Sequence, residues 1–281
     1  MNKFIAACLF VFLLQCFSQS ELKIIAHPEV FQGRCFIVFV SDKNEILSAK
    51  IHFNNKTYQA YPYEDGLRAI IPIPPEFKVG VYPIDVVANY KNNRSEKEGA
   101  SILVSKQVFP KTSFWLKPSK KKLLAPNIME KEWPILESIL VAESPNKLWS
   151  GLFSKPVQGI TTMPYGTREY VNNKKRGQHR GWDFRAAMGT KVFAPNSGKI
   201  VYSGFLRAFG GTIIIDHGQG INTIYFHLSK ILVENGQIIN KGDLLALTGN
   251  TGVSSGPHLH WGMSVHNVRV DPKQWVMTVM P

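Results

Sequence analysis

Short runs rich in Val, Ile, Phe and Tyr, each closed by a turn signal, recur from residue 21 almost to the C-terminus and restrict this chain to strand-based architectures. Residues 30–40, 49–58, 67–73 and 81–90 are such runs, with Ser41-Asp42-Lys43-Asn44 and Glu64-Asp65-Gly66 between them. A small β-sandwich over residues 21–105 is the simplest fold that buries one face of each run. A later set, 190–200, 212–216, 244–247 and 258–265, is divided by Gly210-Gly211 and the Gly-rich segment 249–256. Between residues 106 and 150 the composition shifts to Lys and Pro, including Lys117-Pro118-Ser119-Lys120-Lys121-Lys122, which reads as solvated linker. Asn127 and Glu130 have the spacing of a capping box, and Met129, Trp133, Leu136 and Leu140 recur at helical period. Pro134 fits such a helix only in its first turn.

The expected class is therefore all-β. It comprises an N-terminal β-sandwich-like domain (21–105), a linker with a short helix (106–150) and a C-terminal β-sheet-rich domain (151–281). With 281 residues, 44% of them hydrophobic, the chain has material for about two domains of ~100–200 residues each.

Residues 1–20 have the parts of an export signal: Lys3, an apolar run from Phe4 to Phe17, and small residues at Ser18 and Ser20, with cleavage expected after Ser20. The run is short of the ~20 residues that cross a bilayer, so no stable membrane insertion is expected after cleavage. A lipid anchor at Cys16 would need a small residue where Gln15 stands. The expected location is the periplasm, the cell envelope or the medium. Only Cys35 would remain in the mature chain, in an apolar run that reads as the place of a buried, inert thiol.

Chemistry concentrates in five residues. His179 and Asp183 lie four positions apart in His179-Arg180-Gly181-Trp182-Asp183, and both are ordinary ligands of a borderline-soft dication. His258 and His260 sit at i and i+2 of a strand-like run, so both rings look into one space, and one can bind metal while the other stays free. His227 closes the alternating run Thr223-Ile224-Tyr225-Phe226-His227. His217, in Asp216-His217-Gly218, reads as the structural end of a strand, and His27, His52 and His266 read as ordinary. A His-Glu-x-x-His helix, with its Glu base, does not occur in the sequence.

Further motifs surround these residues: Tyr165-Gly166-Thr167-Arg168, Asp216-His217-Gly218, Tyr225-Phe226-His227-Leu228-Ser229, Gly236-Gln237-Ile238-Ile239-Asn240-Lys241-Gly242-Asp243, Leu247-Thr248-Gly249-Asn250-Thr251-Gly252 and Gly256-Pro257-His258-Leu259-His260. In this order and spacing, residues 156–281 resemble the lysostaphin-type (LytM) zinc endopeptidases, which cut the peptides of bacterial peptidoglycan. The resemblance implies that His179, Asp183 and His260 hold one Zn2+ and that His227 and His258 are catalytic. Three protein ligands with a fourth position open is the usual form of a catalytic zinc site. Zinc lowers the pKa of its water to roughly 7, and the two free imidazoles would act jointly as base and oxyanion stabiliser.

The expected function is a secreted or periplasmic zinc metalloendopeptidase acting on peptidoglycan stem peptides or cross-links. The alternatives are a regulatory or wall-binding relative that activates other wall hydrolases, and a latent enzyme shielded by residues 21–105. Degenerate regulators lack zinc ligands, and this chain keeps them. The net charge is +13, and without Lys3 it is 13 − 1 = +12. That charge suits attraction to anionic wall polymers, and no recognisable nucleic-acid motif accompanies it, so nucleic acid is not an expected partner. Lys174, Lys175, Arg176 and Arg180 flank the first ligand and could meet peptide carboxylates.

Overall fold

Alternation decides the N-terminal half of the computed structural model, which describes residues 21–281; the expected export signal lies outside the described residues. Along Gly80–Tyr90, Ile84, Val86, Ala88 and Tyr90 are buried while their neighbours face outward, as period-two pleating requires. Four strands in the order Lys23–Ala26, Cys35–Ser41, Gly66–Pro72, Tyr61–Tyr63 form one sheet. Five more, Glu29–Phe31, Ser95–Ser105, Gly80–Tyr90, Ile46–Phe53 and Lys56–Gln59, form the second. Phe36, Val38, Ile51, Ile71, Val86 and Ile102 from the two sheets share one core, so this half is a sandwich.

Two of the sequence runs are not single strands. Residues 30–40 split between the two sheets at Gly33, whose φ of 85° suits glycine. Residues 49–58 fold back at Asn54 and Asn55, with φ of 46° and 60°, as a two-residue hairpin joining Phe53 to Lys56. Asparagine tolerates the left-handed region, so a turn hides in what reads as a continuous run.

The C-terminal half is built on an eight-stranded sheet running Ile160–Met163, Trp182–Arg185, His258–Val265, Ile221–Leu228, Gly210–Gly218, Gly198–Leu206, Ile238–Ile239, with Val268–Val270 paired to His258–Val265. One face packs over a core containing Trp149, Phe153, Trp182, Phe184, Trp261 and Trp275. Part of the other face, at Ile214, Ile224 and Phe226, is covered by the helix Pro126–Val141 through Ile128, Leu136 and Leu140.

That helix departs from expectation in two ways. It starts at Pro126 behind Ala125, which makes no side-chain cap, so the Asn127 to Glu130 spacing is not a capping box here. Pro126 supplies the start instead, since it needs no donor at the first position. Pro134 lies well inside the helix rather than in its first turn. The buried stripe is Ile128, Glu132, Leu136 and Leu140, which leaves Met129 and Trp133 turned to one side. Glu132 accepts from the backbone N–H groups of Arg207 and Ala208, at 2.5 and 2.8 Å. The segment before the helix also does more than connect. Its strand Lys111–Phe114 pairs parallel to Arg168–Val171. Lys120, in the basic run that reads as solvated, donates from Nζ to the carbonyls of Asn250 and Gly252, at 2.7 and 2.8 Å.

Candidate active site

Register brings the site together. Trp182–Arg185 pairs antiparallel with His258–Val265 so that Asp183 lies opposite His260. Trp182 and Phe184 enter the core, so alternation turns Asp183 to the opposite face, where His258 and His260 also point. His179 follows the strand Lys174–Gln178, and its backbone is fixed by bonds from His179 N–H to Thr167 O and from Gly166 N–H to His179 O, both 2.8 Å.

Asp183 Oδ1 lies 3.0 Å from His179 Nε2 and 2.9 Å from His260 Nδ1. The three donor atoms are within 4.8 Å of one another, and all three residues are buried. His179 Nε2 is buried without a hydrogen-bond partner, because its contact with Asp183 is close but poorly directed. One carboxylate and two imidazoles converging on a common point, one of them with an orphaned nitrogen, fit a divalent zinc ion. Electrostatics agree. Burial opposes the His179 cation, yet Asp183 and Glu169 outweigh it and raise the ring to about 9. Burial lowers His260 to about 4, against the pull of Asp183. Burial opposes the Asp183 anion too, but His179 and His260 hold it well below the usual carboxylate range.

The other two histidines have a defined tautomer. His227 Nδ1 is 2.8 Å from Thr251 O, and His258 Nδ1 is 2.8 Å from Gly256 O and 3.1 Å from Ser254 Oγ. A carbonyl oxygen only accepts, so in each neutral ring Nδ1 carries the hydrogen and Nε2 is left as an acceptor. His258 Nε2 sits 3.7 Å from Asp183 Oδ2, and the His227 and His258 ring centroids are 4.7 Å apart. Burial, then the neighbouring His258 and His260, keep His227 well below the ordinary imidazole range. His227 has φ of 66°, a conformation costly for a non-glycine residue and held by its bonds to Thr251 and Phe209. Gly249 permits the close approach: a Cβ there would stand 2.6 Å from His227 O.

A groove of about 470 Å³ runs past these side chains. One wall is apolar, made by Phe114, Met129, Trp133, Phe209 and Phe226. Residues 21–105 contribute nothing to the lining.

The sequence profile described as peptidase family M23 matches residues 177–272, which contain all five residues. The catalytic domain of the antimicrobial peptidase lysostaphin from Staphylococcus simulans is 31% identical over 43% of this chain and 93% of that domain, with a TM-score of 0.39. Through its C-terminal half, this chain belongs to peptidase family M23. The peptidoglycan DD-endopeptidase ShyA of Vibrio cholerae is 40% identical over 92 residues, which are 33% of this chain and 21% of that protein. The chain spans 20–27% of the length of the first curated relatives it matches. The crystal structure of a candidate M23 peptidase from Pseudomonas aeruginosa covers 88% of this chain and 94% of its own, at 26% identity and a TM-score of 0.66. The architecture outside the M23 segment therefore has a counterpart as well.

The five residues singled out in the sequence all come to one place, and His217, His27, His52 and His266 do not join them. His217 is buried, with Nδ1 on Ser197 O at 2.7 Å and Nε2 on Thr223 Oγ1 at 2.8 Å. Two basic residues beside the first ligand are already engaged: Arg176 pairs with Glu169 at 3.2 Å, and Arg180 forks onto Glu76 at 3.0 and 3.1 Å. Glu169 went unnoticed in the sequence. Its Oε1 is 2.7 Å from His179 Nδ1, which orients Nε2 toward Asp183. Its adjacency to Tyr165-Gly166-Thr167-Arg168 was the only available signal.

Proposed function

We propose that this protein is an exported zinc metalloendopeptidase that hydrolyses peptide bonds in peptidoglycan stem peptides or cross-links. The observation that carries the reading is the buried triad His179 Nε2, Asp183 Oδ1 and His260 Nδ1 with two further imidazoles beside it, each held at Nδ1 by a backbone carbonyl. A zinc ion held by that triad would polarise the scissile carbonyl and make a water nucleophilic near neutral pH. Glu169 keeps the His179 ring in place through Nδ1. His227 and His258 are each fixed by a carbonyl partner at Nδ1, so one of them can take the proton of the attacking water at Nε2, hydrogen-bond the oxyanion as the resulting imidazolium, and give that proton to the leaving amine nitrogen as the C–N bond breaks, with the other ring beside it. The apolar wall excludes solvent from one side of an extended peptide.

The relatives named as peptidoglycan endopeptidases support the substrate class. The intact triad speaks against a purely regulatory role, and the lining of the groove speaks against shielding by residues 21–105. The positive charge supports anionic wall polymers as an electrostatic tether. The deciding experiment digests purified peptidoglycan with the mature chain and identifies products by mass spectrometry, with metal content measured in parallel. New amino and carboxyl ends at a peptide bond, with one zinc per chain, are expected. Glycan cleavage, or stoichiometric zinc with no product, would overturn the reading.

A further inference from the structure

Apart from its histidines, six charged side chains line the groove, and four are committed to one another or to partners nearby. Arg176 pairs with Glu169, Arg180 with Glu76, and Glu169 and Asp183 each engage imidazoles. Arg185 and Arg269 remain, and neither forms an ion pair with a carboxylate among the described residues. No uncommitted acid lines the groove to balance them.

Their placement follows from register. Arg185 is two residues from Asp183 on the same face of its strand and lies opposite His258. Arg269 reaches the other side: its Nη1 is 3.5 Å from where a Cβ on Gly262 would stand, and Gly262 is two residues beyond His260 on that same face. At ~3.3 Å per residue, the two guanidinium groups belong to rows about 7 Å to either side of the triad. Arg185 is exposed to the groove. Burial lowers Arg269 to about 9, so it remains charged at neutral pH while partly stripped of water. A desolvated, unpaired guanidinium is costly unless something supplies its counter-charge, and its planar fork matches a carboxylate in two parallel hydrogen bonds.

We infer that the groove is built for a peptide with carboxylates on both sides of the scissile bond, Arg185 holding one and Arg269 the other. The inference rests on the hydrolase reading and narrows it to an acidic peptide. A neutral peptide would leave both cations unpaired in the walls.

The test uses the full mature chain loaded with zinc and soluble cross-linked peptide fragments from purified peptidoglycan, either with free carboxyl groups or with those groups converted to carboxamides. The free form is expected to be cut with a kcat/KM at least tenfold higher, the difference lying mainly in KM and shrinking as salt rises. Arg185→Gln and Arg269→Gln should each erase most of that discrimination at full zinc content and unchanged circular dichroism. Should Arg269→Gln fold poorly, Arg269→Lys, which keeps the charge and loses the fork, should still raise KM for the free form. Equal cleavage of both forms by the parent, or discrimination retained in the variants, overturns the inference alone. Cleavage of neither form overturns the hydrolase reading and the inference with it.

Discussion

At the scale of single residues, the two histidines of His258-Leu259-His260 are told apart by what their Nδ1 atoms meet. His260 Nδ1 faces Asp183, whereas His258 Nδ1 is occupied by Gly256 O and its Nε2 looks across the site. The proposed roles follow, and they separate experimentally. His260→Ala should reduce zinc to well below one per chain and lose turnover with it. His258→Ala should retain stoichiometric zinc while hydrolysis falls by a factor on the order of 10²–10⁴, the usual contribution of a general acid or base. Dialysis against a weak chelator followed by metal analysis, alongside rates at matched zinc loading, distinguishes the two. A metal-loaded His258→Ala protein that still hydrolyses at the parent rate would sink the division of labour. The types and spacing of these residues were visible in the sequence because strand alternation is local. Glu169 was not, since a lone Glu ten residues before His179 has no periodic relation to it and the contact depends on a hairpin register. The same holds for Thr251 O, a backbone atom that carries no mark of residue type.

At the scale of elements, the strands were legible and their breaks were not. The asparagines at 54 and 55 carry a hairpin that reads as one continuous run, and of the periodic positions in the helix Pro126–Val141, Leu136 and Leu140 are buried whereas Met129 and Trp133 sit one residue past the buried Ile128 and Glu132. Met129 and Trp133 look like core positions by period, but a helix lying on a sheet face beside a groove has two uses for its apolar residues. Leu136 is fully buried against the sheet, while Trp133 is 38% exposed and forms the groove wall beside Phe209, ring centroids 6.2 Å apart. Substitutions on the two faces should therefore part company. Leu136→Ala should destabilise the fold by about 2–5 kcal/mol through lost burial and the cavity left behind. Trp133→Ala should cost about 1 kcal/mol or less in stability yet raise KM several-fold, because it opens the solvent-excluding wall. Denaturant midpoints and peptide kinetics on the same two proteins check this, and a Trp133→Ala enzyme with unaltered KM would remove the helix from the groove's function. A truncation meant to isolate the M23 segment should accordingly begin before Lys106, since a start near Lys147 discards the strand Lys111–Phe114 and this helix.

At the scale of the whole molecule, the two halves share a buried interface. Arg68 reaches from the sandwich to Gln219 Oε1 at 2.6 Å and over Trp149, and Gln274 brackets the backbone of Cys35 with two bonds of 2.8 Å. Acid should test the stability of this assembly through His217, which lies two residues before Gln219 and outside the triad. Burial lowers its pKa to about 4, against an ordinary value near 6.5 in the unfolded chain. Between those values the unfolded chain binds a proton that the folded protein refuses. The stabilising contribution is thus complete above about pH 6.5, declines as pH falls, and is lost once pH passes below about 4. The difference of the two pKa values corresponds to roughly 3 kcal/mol at most. Asp183 and the other titrating groups add their own slopes, so the informative quantity is the difference between the parent and His217→Gln. The variant should be less stable than the parent at pH 7, since it replaces a ring fitted between Ser197 O and Thr223 Oγ1, and that gap should narrow steadily toward pH 5. Chemical denaturation of both proteins across this range measures it. A gap that stays constant would mean that His217 takes up its proton in the folded state as readily as in the unfolded one, and that its burial does not contribute to acid lability.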